Sequence, residues 1–586
     1  MKNNFKNLIS LLSLTKTKKS YLILLVFLMI MSSLADILSL GLVIPFVAQI
    51  LDLQKEKSIF PFELNILNNV SEENLILILT IILILIFFLK TVISILIRWM
   101  ISSFSFHQYA MLQVKLLSVY QNMKYEDHTS RSTTDFIKSV RELCRECNTN
   151  IELNLKIICE TIIFFVIVLF LGFLNYKILF SFFLIIIPIS LFYEIFLRPI
   201  NLKLGIEQSN AWRGTYNIID NSMRGFKETR ILGKESFFLH KLEKFANIVF
   251  KTQRTSVLIT DSPRFVFEFF FIFVSLILIY ILSANFNLNN YIPLISAYII
   301  AAIRLLPSIS LIVGSFSRLS LSQYAVSQII YDITNLKTKK INISNQKIIS
   351  ANKFENLKFN NINFFYKNTG IQVFENANFE LKKNNCVGVI GKSGEGKTTF
   401  IDIMLGFLKP QKGEIQINGV SSKNIGSNFS ENIAYLPQEP IILDDKIITN
   451  ITLESDQKKI DYKNLNNAIQ QANLKEVIDS LPNKIDTFVG DNGVRLSGGQ
   501  NKRLALSRAF YHGKKIFVMD EATSSLDEIT ENKIAEEIKN IKGKTTMVIV
   551  SHSKNILKYC DYIYIIKDKS IKLLNNEHFK AATKKK

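Results

Sequence analysis

Six long apolar segments constrain the fold of this chain more than any other feature of its sequence. They cover roughly residues 21–51, 74–105, 152–175, 177–198, 264–284 and 291–316. A run of about 20 apolar residues is long enough to cross the hydrocarbon core of a bilayer as one helix. Apolar residues make up 48% of the 586 positions, and the mean hydropathy is +0.22, which is high for a soluble protein. The sequence therefore predicts a helical membrane domain with six spans.

The distribution of charge predicts how this domain is oriented. Lys16, Lys18 and Lys19 precede the first span, and basic residues beside a span favour the cytoplasmic side. Six crossings return the chain to the cytoplasm, so we expect everything after about residue 320 to be cytosolic. The net charge of +21 suits cytoplasmic loops. Because the basic residues are dispersed and no nucleic-acid-binding motif accompanies them, we expect no nucleic-acid partner.

Two shorter features leave less to conclude. Cys144 and Cys147 form a lone CxxC without further ligands at matching spacing, so we expect reduced thiols rather than a zinc site. The outer connection, residues 52–73, carries apolar residues at intervals of three and four. This spacing fits a short amphipathic helix on the outer face, and it equally fits a solvated loop.

The composition changes after residue 335. Residues 336–352 are polar and are expected to form a linker. Beyond them, short β-branched runs alternate with helical patterns, as in an α/β domain. The sequence predicts a membrane domain over residues 1–335, a linker over 336–352 and a cytosolic domain over 353–586.

One motif in the cytosolic part predicts a nucleotide site. Residues 388–400, GVIGKSGEGKTTF, fit the pattern G-x-x-x-x-G-K-[ST], with an apolar strand before it and a helical pattern after it. Its glycines let the backbone curl, so that the N–H groups face phosphate oxygens. Lys397 reaches the outer phosphates, and Thr398 offers a hydroxyl to Mg²⁺. We therefore expect ATP and Mg²⁺ as cofactors.

Two further motifs complete the pattern. Residues 515–523, KIFVMDEAT, end an apolar strand with Asp520, placed to bind the metal, and Glu521, placed to polarise the attacking water. Between the first motif and this one lies VRLSGGQNKRLALSRAF, residues 494–510. In this order the three motifs resemble the nucleotide-binding domain of ABC transporters, across roughly residues 353–575.

The resemblance implies roles for further residues. Tyr366 resembles the aromatic residue that stacks on adenine, Gln438 the glutamine that touches Mg²⁺, and His552 the switch histidine near the γ-phosphate. The LSGGQ signature would cap ATP bound to the opposite subunit. The predicted ATP-binding residues are Tyr366, Gly391, Ser393, Gly394, Glu395, Gly396, Lys397, Thr398, Thr399, Gln438, Ser497, Gly498, Gly499, Gln500 and Asp527. The predicted metal ligands are Thr398, Gln438 and Asp520, and the predicted catalytic residues are Glu521 and His552.

One nucleotide-binding domain joined to six spans resembles a half-transporter. Since the signature completes a site on a partner, the resemblance implies a homodimer with two equivalent ATP sites. Residues 125–140 and 211–235 resemble the two coupling loops of exporters. Every catalytic group is present, so we expect an active ATP hydrolase coupled to transport.

Three basic residues in or near the spans point to the cargo. Arg304 lies in the middle of one apolar segment, and Lys90 and Arg264 lie in two others. Intramembrane cations are costly and usually functional, and a guanidinium pairs well with phosphate, so an anionic headgroup is one hypothesis. The other hypothesis is pairing inside the protein. The acidic residues in or near the spans are Asp36, Glu160, Glu194 and Glu268.

The membrane segments also resemble one group of exporters. Residues 35–51, ADILSLGLVIPFVAQIL, together with DSPRF and AAIRLLPS, resemble PglK-type flippases of lipid-linked oligosaccharides. The resemblance implies that Lys90, Arg264 and Arg304 line a cavity and meet the pyrophosphate of the substrate, with Lys90 standing where the family has arginine. It also implies a homodimer in a bacterial inner membrane that flips a polyprenyl-pyrophosphate glycan. A lipid A or phospholipid flippase, a peptide exporter and a non-transporting ATPase are the alternatives.

Overall fold

A computed structural model describes most of the chain. The described residues are 8–13, 19–50, 72–174, 176–285, 292–336, 354–367, 369–421, 432–490, 493–514, 516–521 and 528–574. The chain divides into two compact units, Met1–Thr338 and Lys339–Lys586. The predicted linker after Leu336, the outer segment up to residue 71 and Asp527 lie outside the described residues.

The first unit is built from helices wherever the structure describes it. The seven long helices are α1 (Lys19–Ile50), α2 (Glu72–Gln121), α5 (Cys144–Leu174), α6 (Tyr176–Phe192), α7 (Arg198–Arg224), α9 (Glu235–Asn285) and α10 (Ile292–Asn335). The short helices are α3 (Tyr125–Thr129), α4 (Thr133–Lys138) and α8 (Phe226–Leu232). Two π-helical turns, Ser139–Leu143 and Tyr193–Leu197, precede α5 and α7.

Length and composition make several of these helices able to cross a membrane. Among the described residues, four stretches meet that criterion: Ser20–Val43, Ile76–Gln121, Thr133–Phe173 and Ile299–Asn335. The other two predicted spans, 177–198 and 264–284, lie in the helical stretches that contain α6 and α9. Exposed apolar side chains such as Phe88, Phe173 and Phe265 suit a lipid environment, since lipid tails are as apolar as they are.

A shared apolar core joins α1, α2, α5 and α10. Met29, Ile101, Ile167 and Val326, one from each helix, are at most 2% exposed and belong to one buried cluster. Polar side chains also occur on these packed faces, and Asn150 of α5 donates a hydrogen bond to Ser322 Oγ of α10 at 2.9 Å. The core therefore fixes which faces of the four helices meet.

A buried carboxylate ties the end of α10 to the α3–α4 region. Asp332 is 0% exposed. It accepts hydrogen bonds from Arg131 Nη1 at 2.9 Å, from Arg131 Nη2 at 3.0 Å and from the Tyr120 hydroxyl at 2.6 Å. Gln328 Nε2 adds a fourth hydrogen bond at 3.1 Å. Because a paired guanidinium presents two parallel donors, this contact fixes orientation as well as position.

The second unit is an α/β fold with two larger sheets. Its strands are β1 (Asn356–Phe365), β2 (Gln372–Lys382), β3 (Cys386–Ile390), β4 (Lys412–Ile417), β5 (Val420–Ser421), β6 (Ile433–Leu436), β7 (Asp445–Lys446), β8 (Phe488–Val489), β9 (Ile516–Asp520), β10 (Thr546–Val550), β11 (Tyr562–Lys567) and β12 (Ser570–Leu574). Its helices are α11 (Lys397–Met404), α12 (Ile447–Thr452), α13 (Tyr462–Gln471), α14 (Lys475–Asp479), α15 (Gly498–Tyr511), α16 (Glu528–Ile541) and α17 (Lys554–Leu557).

The six-stranded sheet determines where the chemical groups meet. Its order is β12-β11-β3-β10-β9-β6, and the strands from β11 to β6 are parallel. β9 and β10 are buried along their whole length, and their apolar sequences suit a sheet covered on both faces. Since parallel strands end at the same edge, the segments that follow β3, β9 and β10 lie side by side. A four-stranded antiparallel sheet, β2-β1-β4-β5, completes the unit with the short pair β7-β8.

We predict that Asp332→Asn destabilises the first unit by about 3–5 kcal/mol, because it leaves the partly buried Arg131 guanidinium without its counter-charge. Thermal unfolding of the purified protein followed by intrinsic fluorescence measures the effect. The matched control is Asp220→Asn, which removes an exposed ion pair with Arg224 and should cost about 1 kcal/mol or less. Equal shifts in the two variants would contradict a structural role for Asp332.

Candidate functional site

The phosphate-binding motif forms a loop between β3 and α11. Gly394 and Gly396 have φ values of 85° and 101°, a region that favours glycine. A Cβ at Gly396 would also press on Val373 and Phe374. The Glu395 carboxylate accepts the Lys392 backbone N–H at 3.0 Å, so it holds the loop together from within. The loop ends at the first turn of α11, whose free N–H groups favour an anion.

Lys397 is the centre of the site. Its ammonium lies 3.0 Å from Glu521 Oε1 and 2.7 Å from His552 Nε2, and it donates to the Gly391 carbonyl at 3.0 Å. Its side chain is only 10% exposed. The structure thus brings together three predicted residues that are far apart in sequence, because β3, β9 and β10 end at one edge.

Glu521 is held in an uncommon backbone conformation. Its φ is 46°, a left-handed value that costs energy for a residue with a side chain. Its N–H donates to the Val550 carbonyl at 2.8 Å, which fixes it beside the end of β10. The carboxylate lies 3.8 Å from His552 Nε2. Because the ammonium of Lys397 can only donate, His552 Nε2 accepts, and a neutral imidazole carries its proton on Nδ1.

Two buried carboxyl groups lie next to this cluster. Burial, and then the charge of Glu521, raises the pKa of Asp520, while Lys397 and a hydrogen bond from Tyr435 oppose the rise. Burial, and then the charge of Asp520, raises the pKa of Asp402 on α11 to about 6. Such crowding of carboxylates suits a site that receives a cation. The sequence did not single out Asp402, although it is the one acidic residue in an otherwise apolar helix pattern.

The oxygen groups present fit a magnesium ion. Mg²⁺ prefers carboxylate and hydroxyl oxygens. Thr398 is the second residue of α11 and has an exposed side chain, and Asp520 ends β9. Gln438 follows β6, the strand that neighbours β9, and its side chain is exposed. Sheet topology thus assigns Asp520 and Gln438 to the same edge as the phosphate loop.

Tyr366 is also brought to the loop. Its hydroxyl lies 3.0 Å from Thr399 Oγ1, and its ring packs edge-on against Phe364 with centroids 5.1 Å apart. Its side chain remains partly exposed. An aromatic face beside the phosphate loop suits a nucleobase, because every base has a π face that stacks.

The signature residues form the start of a helix. Ser497 caps α15: its hydroxyl accepts the Gln500 N–H at 3.3 Å, and Gln500 Oε1 accepts the Ser497 N–H at 2.8 Å. Gly498 and Gly499 form the first turn. Across the described residues, no hydrogen bond or ion pair joins residues 497–500 to the phosphate loop of the same chain.

The first unit contains a cavity of about 330 Å³ with several charged side chains in its lining. Its charged lining residues are Lys90 and Arg98 of α2, Lys156 and Glu160 of α5, and Arg304 of α10. Two of the three predicted substrate residues, Lys90 and Arg304, therefore lie together. Arg264 is exposed and is not part of this lining.

Acidic side chains accompany the cavity cations. Asp36 of α1 forms ion pairs with both Lys90 and Arg304, with Arg304 Nε 3.3 Å from Asp36 Oδ1. Arg304 Nη1 lies 3.8 Å from Glu160 Oε2, which also accepts a hydrogen bond from Ser308 Oγ at 2.7 Å. The structure therefore shows the internal pairing that the sequence left open. Glu194 pairs with Arg198 instead, and Glu268 is exposed.

Sequence reasoning missed Arg98 and Lys156. Arg98 follows Lys90 by about two helical turns, so the same apolar segment already contained a second basic residue. Lys156 pairs with Glu152 one turn away and sits at the start of the third apolar segment. Only the packing of α2 against α5 and α10 shows that both face one cavity.

Comparison with known proteins identifies the domain. Residues 374–524 match the family model described as ABC transporter. An ATP-dependent lipid A-core flippase of Pasteurella multocida is 27% identical over 308 residues, which are 48% of this chain and 53% of the relative. A protein of the same description from Ralstonia nicotianae is 32% identical over 213 residues, or 36% of each chain. The matches therefore span about half of these relatives or less.

A solved structure extends the likeness to the whole chain. A bacterial Atm1-family ABC exporter with ATP bound superposes with a TM-score of 0.81, covering 96% of both chains at 16% identity. The predicted fold class, a helical membrane domain of the ABC exporter type followed by an α/β P-loop NTPase domain, is confirmed. The chain is thus a multi-pass membrane protein with the fold of an ABC exporter, and residues 374–524 belong to an ABC transporter domain.

Proposed function

We propose that the protein is an ATP-driven exporter that flips a lipid-linked oligosaccharide, a polyprenyl-pyrophosphate glycan, across a bacterial inner membrane. The observation that carries this proposal is the cavity lined by four basic side chains, in a chain that also has an ABC transporter domain. A site rich in Lys and Arg within apolar helices favours an anionic group attached to a lipid. The resemblance of the membrane segments to PglK-type flippases supports the same substrate class.

The nucleotide site supports ATP hydrolysis as the energy source. Lys397 holds Glu521 and His552 through one ammonium group. Phosphate oxygens of ATP would compete with Glu521 for the Lys397 ammonium. When the ammonium binds the phosphate, the Glu521 carboxylate becomes available to orient the attacking water. His552 lies beside Glu521 and would therefore be close to the same phosphate group. Thr398, Asp520 and Gln438 would hold a magnesium ion, which neutralises phosphate charge when bound.

The signature supports a homodimer. Its capped helix start offers N–H groups to an anion. Within the part that the structure describes, residues 497–500 form no hydrogen bond or ion pair with the phosphate loop of their own chain. A second copy of the chain would supply the signature to each ATP, so that two chains form two complete sites. Asp527, which lies outside the described residues, is proposed through the resemblance to contribute to the same interface.

The substrate class has one competitor with support of its own. Two relatives are described as lipid A-core flippases, and the headgroup of lipid A is anionic. Such a lipid would meet the same cations, so the cavity alone does not separate the two cargoes. Arg264 remains a substrate residue only through the resemblance, because it lies outside the cavity lining.

We expect Glu521→Gln to slow ATP hydrolysis by about 10²–10⁴-fold, since it removes the group that polarises water, while ATP still binds. Phosphate release and binding of a fluorescent ATP analogue measure the two steps separately. Glu476→Gln, an exposed carboxylate on α14, is the matched control and should hydrolyse ATP at the wild-type rate. Wild-type hydrolysis by Glu521→Gln would remove Glu521 from the catalytic role.

The substrate is tested in proteoliposomes with a fluorescent polyprenyl-pyrophosphate oligosaccharide. We expect ATP-dependent movement of the lipid between leaflets, absent in Glu521→Gln. Arg304→Ala should reduce this movement by about 10- to 100-fold, because it removes a charge-assisted contact, and Arg304→Lys should fall between.

Arg264→Ala in the same assay tests the third residue that the resemblance implies. Failure of the wild-type protein to move this lipid, in a preparation that hydrolyses ATP, would contradict the proposed substrate. Movement of lipid A in that preparation would favour the competing cargo.

A further inference from the structure

Asp36 stands in the middle of an apolar helix and is almost completely buried. Its side chain is 1% exposed, and it lies in α1 within the stretch Ser20–Val43 that is able to cross a membrane. It pairs with Lys90 from α2 and Arg304 from α10. One carboxylate thus pairs with both of the cations that we propose as contacts for an anionic substrate.

The groups that face this carboxylate come from every helix packed against α1. These helices are α2, α5 and α10. They present Lys90, Glu160 and Arg304, with Arg98 and Lys156 further along the cavity lining. Lys90 and Arg304 carry two positive charges, and Asp36 and Glu160 carry two negative charges. The cluster of these four residues is therefore neutral before any substrate binds.

Binding of an anion would upset this balance. A pyrophosphate group that takes Lys90 and Arg304 as partners removes them from Asp36. A carboxylate that loses its counter-charges in a buried site is strongly destabilised as an ion, and such groups usually become neutral. Glu160 differs, because it lines the cavity and keeps a hydrogen bond from Ser308.

We infer that Asp36 takes up a proton when an anionic headgroup binds Lys90 and Arg304. The inference rests on the proposed function, since it requires an anionic substrate in this cavity. The proton comes from water and converts the carboxylate to a carboxylic acid, with no other bond formed or broken. Asp36 thus acts as an internal counter-ion that the substrate replaces, and binding consumes about one proton per chain.

The sign of the resulting pH dependence follows from linkage. A reaction that consumes one proton becomes weaker as the pH rises, by about tenfold in affinity for each pH unit. Replacing Asp36 with asparagine removes the carboxylate that competes with the anion for Lys90 and Arg304. It also removes the group that takes up the proton. Asp36→Asn should therefore bind the anion more tightly and with a smaller dependence on pH.

The test uses isothermal titration calorimetry on the full-length protein in lipid nanodiscs. The probe is farnesyl pyrophosphate, titrated at one pH in two buffers with different enthalpies of ionisation. The difference in heat divided by the difference in ionisation enthalpy gives the number of protons exchanged per ligand. The same measurement on Asp36→Asn gives the proton change of the ligand alone, which is subtracted from the wild-type value. Glu160→Gln is the matched control, because it neutralises the other acid of the cluster.

We expect wild-type protein and Glu160→Gln to take up about one proton more per ligand than Asp36→Asn. Equal proton numbers in wild type and Asp36→Asn, with both binding, would overturn the inference and leave the proposed substrate intact. Loss of uptake in Glu160→Gln alone would assign the proton to Glu160 and also overturn it.

Two further outcomes are informative without the asparagine variant. If Asp36→Asn does not fold, the proton number of wild type is compared with the number that the ligand itself exchanges, known from titration of the free ligand. Equal numbers would overturn the inference. No binding of farnesyl pyrophosphate to wild type at any pH would contradict the proposed pyrophosphate substrate itself, and the inference would fail with it.

Discussion

A charge at bilayer depth needs a partner, and this constraint shapes the first unit. Asp36, Lys90 and Arg304 lie on α1, α2 and α10, and only α1 and α2 are consecutive in the chain. Their ion pairs require α1, α2 and α10 to meet at one level. The apolar core around Met29 and Ile101 fixes which faces of these helices meet, and the ion pairs fix the level at which they meet. The same arrangement opens a cavity with an excess of basic side chains.

In the second unit, parallel strands bring together charged residues that are distant in sequence. Lys397 lies more than a hundred residues before Glu521 and His552 in the sequence, yet its ammonium contacts both. Parallel strands β3, β9 and β10 bring them together, because each residue follows the end of a strand at one edge. Under the proposed function, the phosphate groups of the cargo and of ATP enter where basic side chains already have partners within the protein. Substrate and ATP would therefore both bind by exchanging internal contacts for external ones.

Local patterns in the sequence were enough to predict much of this. Apolar length predicted the membrane helices, and the glycine-rich loop predicted the position of Lys397 between a strand and a helix. The partners of Arg304 could not be predicted in the same way. Arg304 and Asp36 are 268 positions apart, and which acid meets which base depends on how the helices pack. The sequence contains four acidic residues in or near the spans, and packing brings Asp36 and Glu160 to Arg304.

Other features needed the structure for the same reason. Arg98 and Lys156 carried no motif, and Arg264 had the same signal as Arg304 but is exposed and lies outside the cavity lining. Side-chain direction on a long helix turns by about 100° per residue, so small differences in position separate a lining residue from an exposed one. Asp402 lacked any signal beyond its charge, and its closeness to Asp520, which the sequence predicts as a metal ligand, follows only from the fold.

The most direct test of the account is native mass spectrometry of the protein purified from membranes with its bound lipids. The account predicts a dimer that carries an anionic pyrophosphate lipid, and loss of that lipid in Arg304→Ala with the dimer retained. A dimer that carries only neutral lipids, or that retains the same anionic lipid after the substitution, would contradict the claim that the basic cavity recognises the cargo.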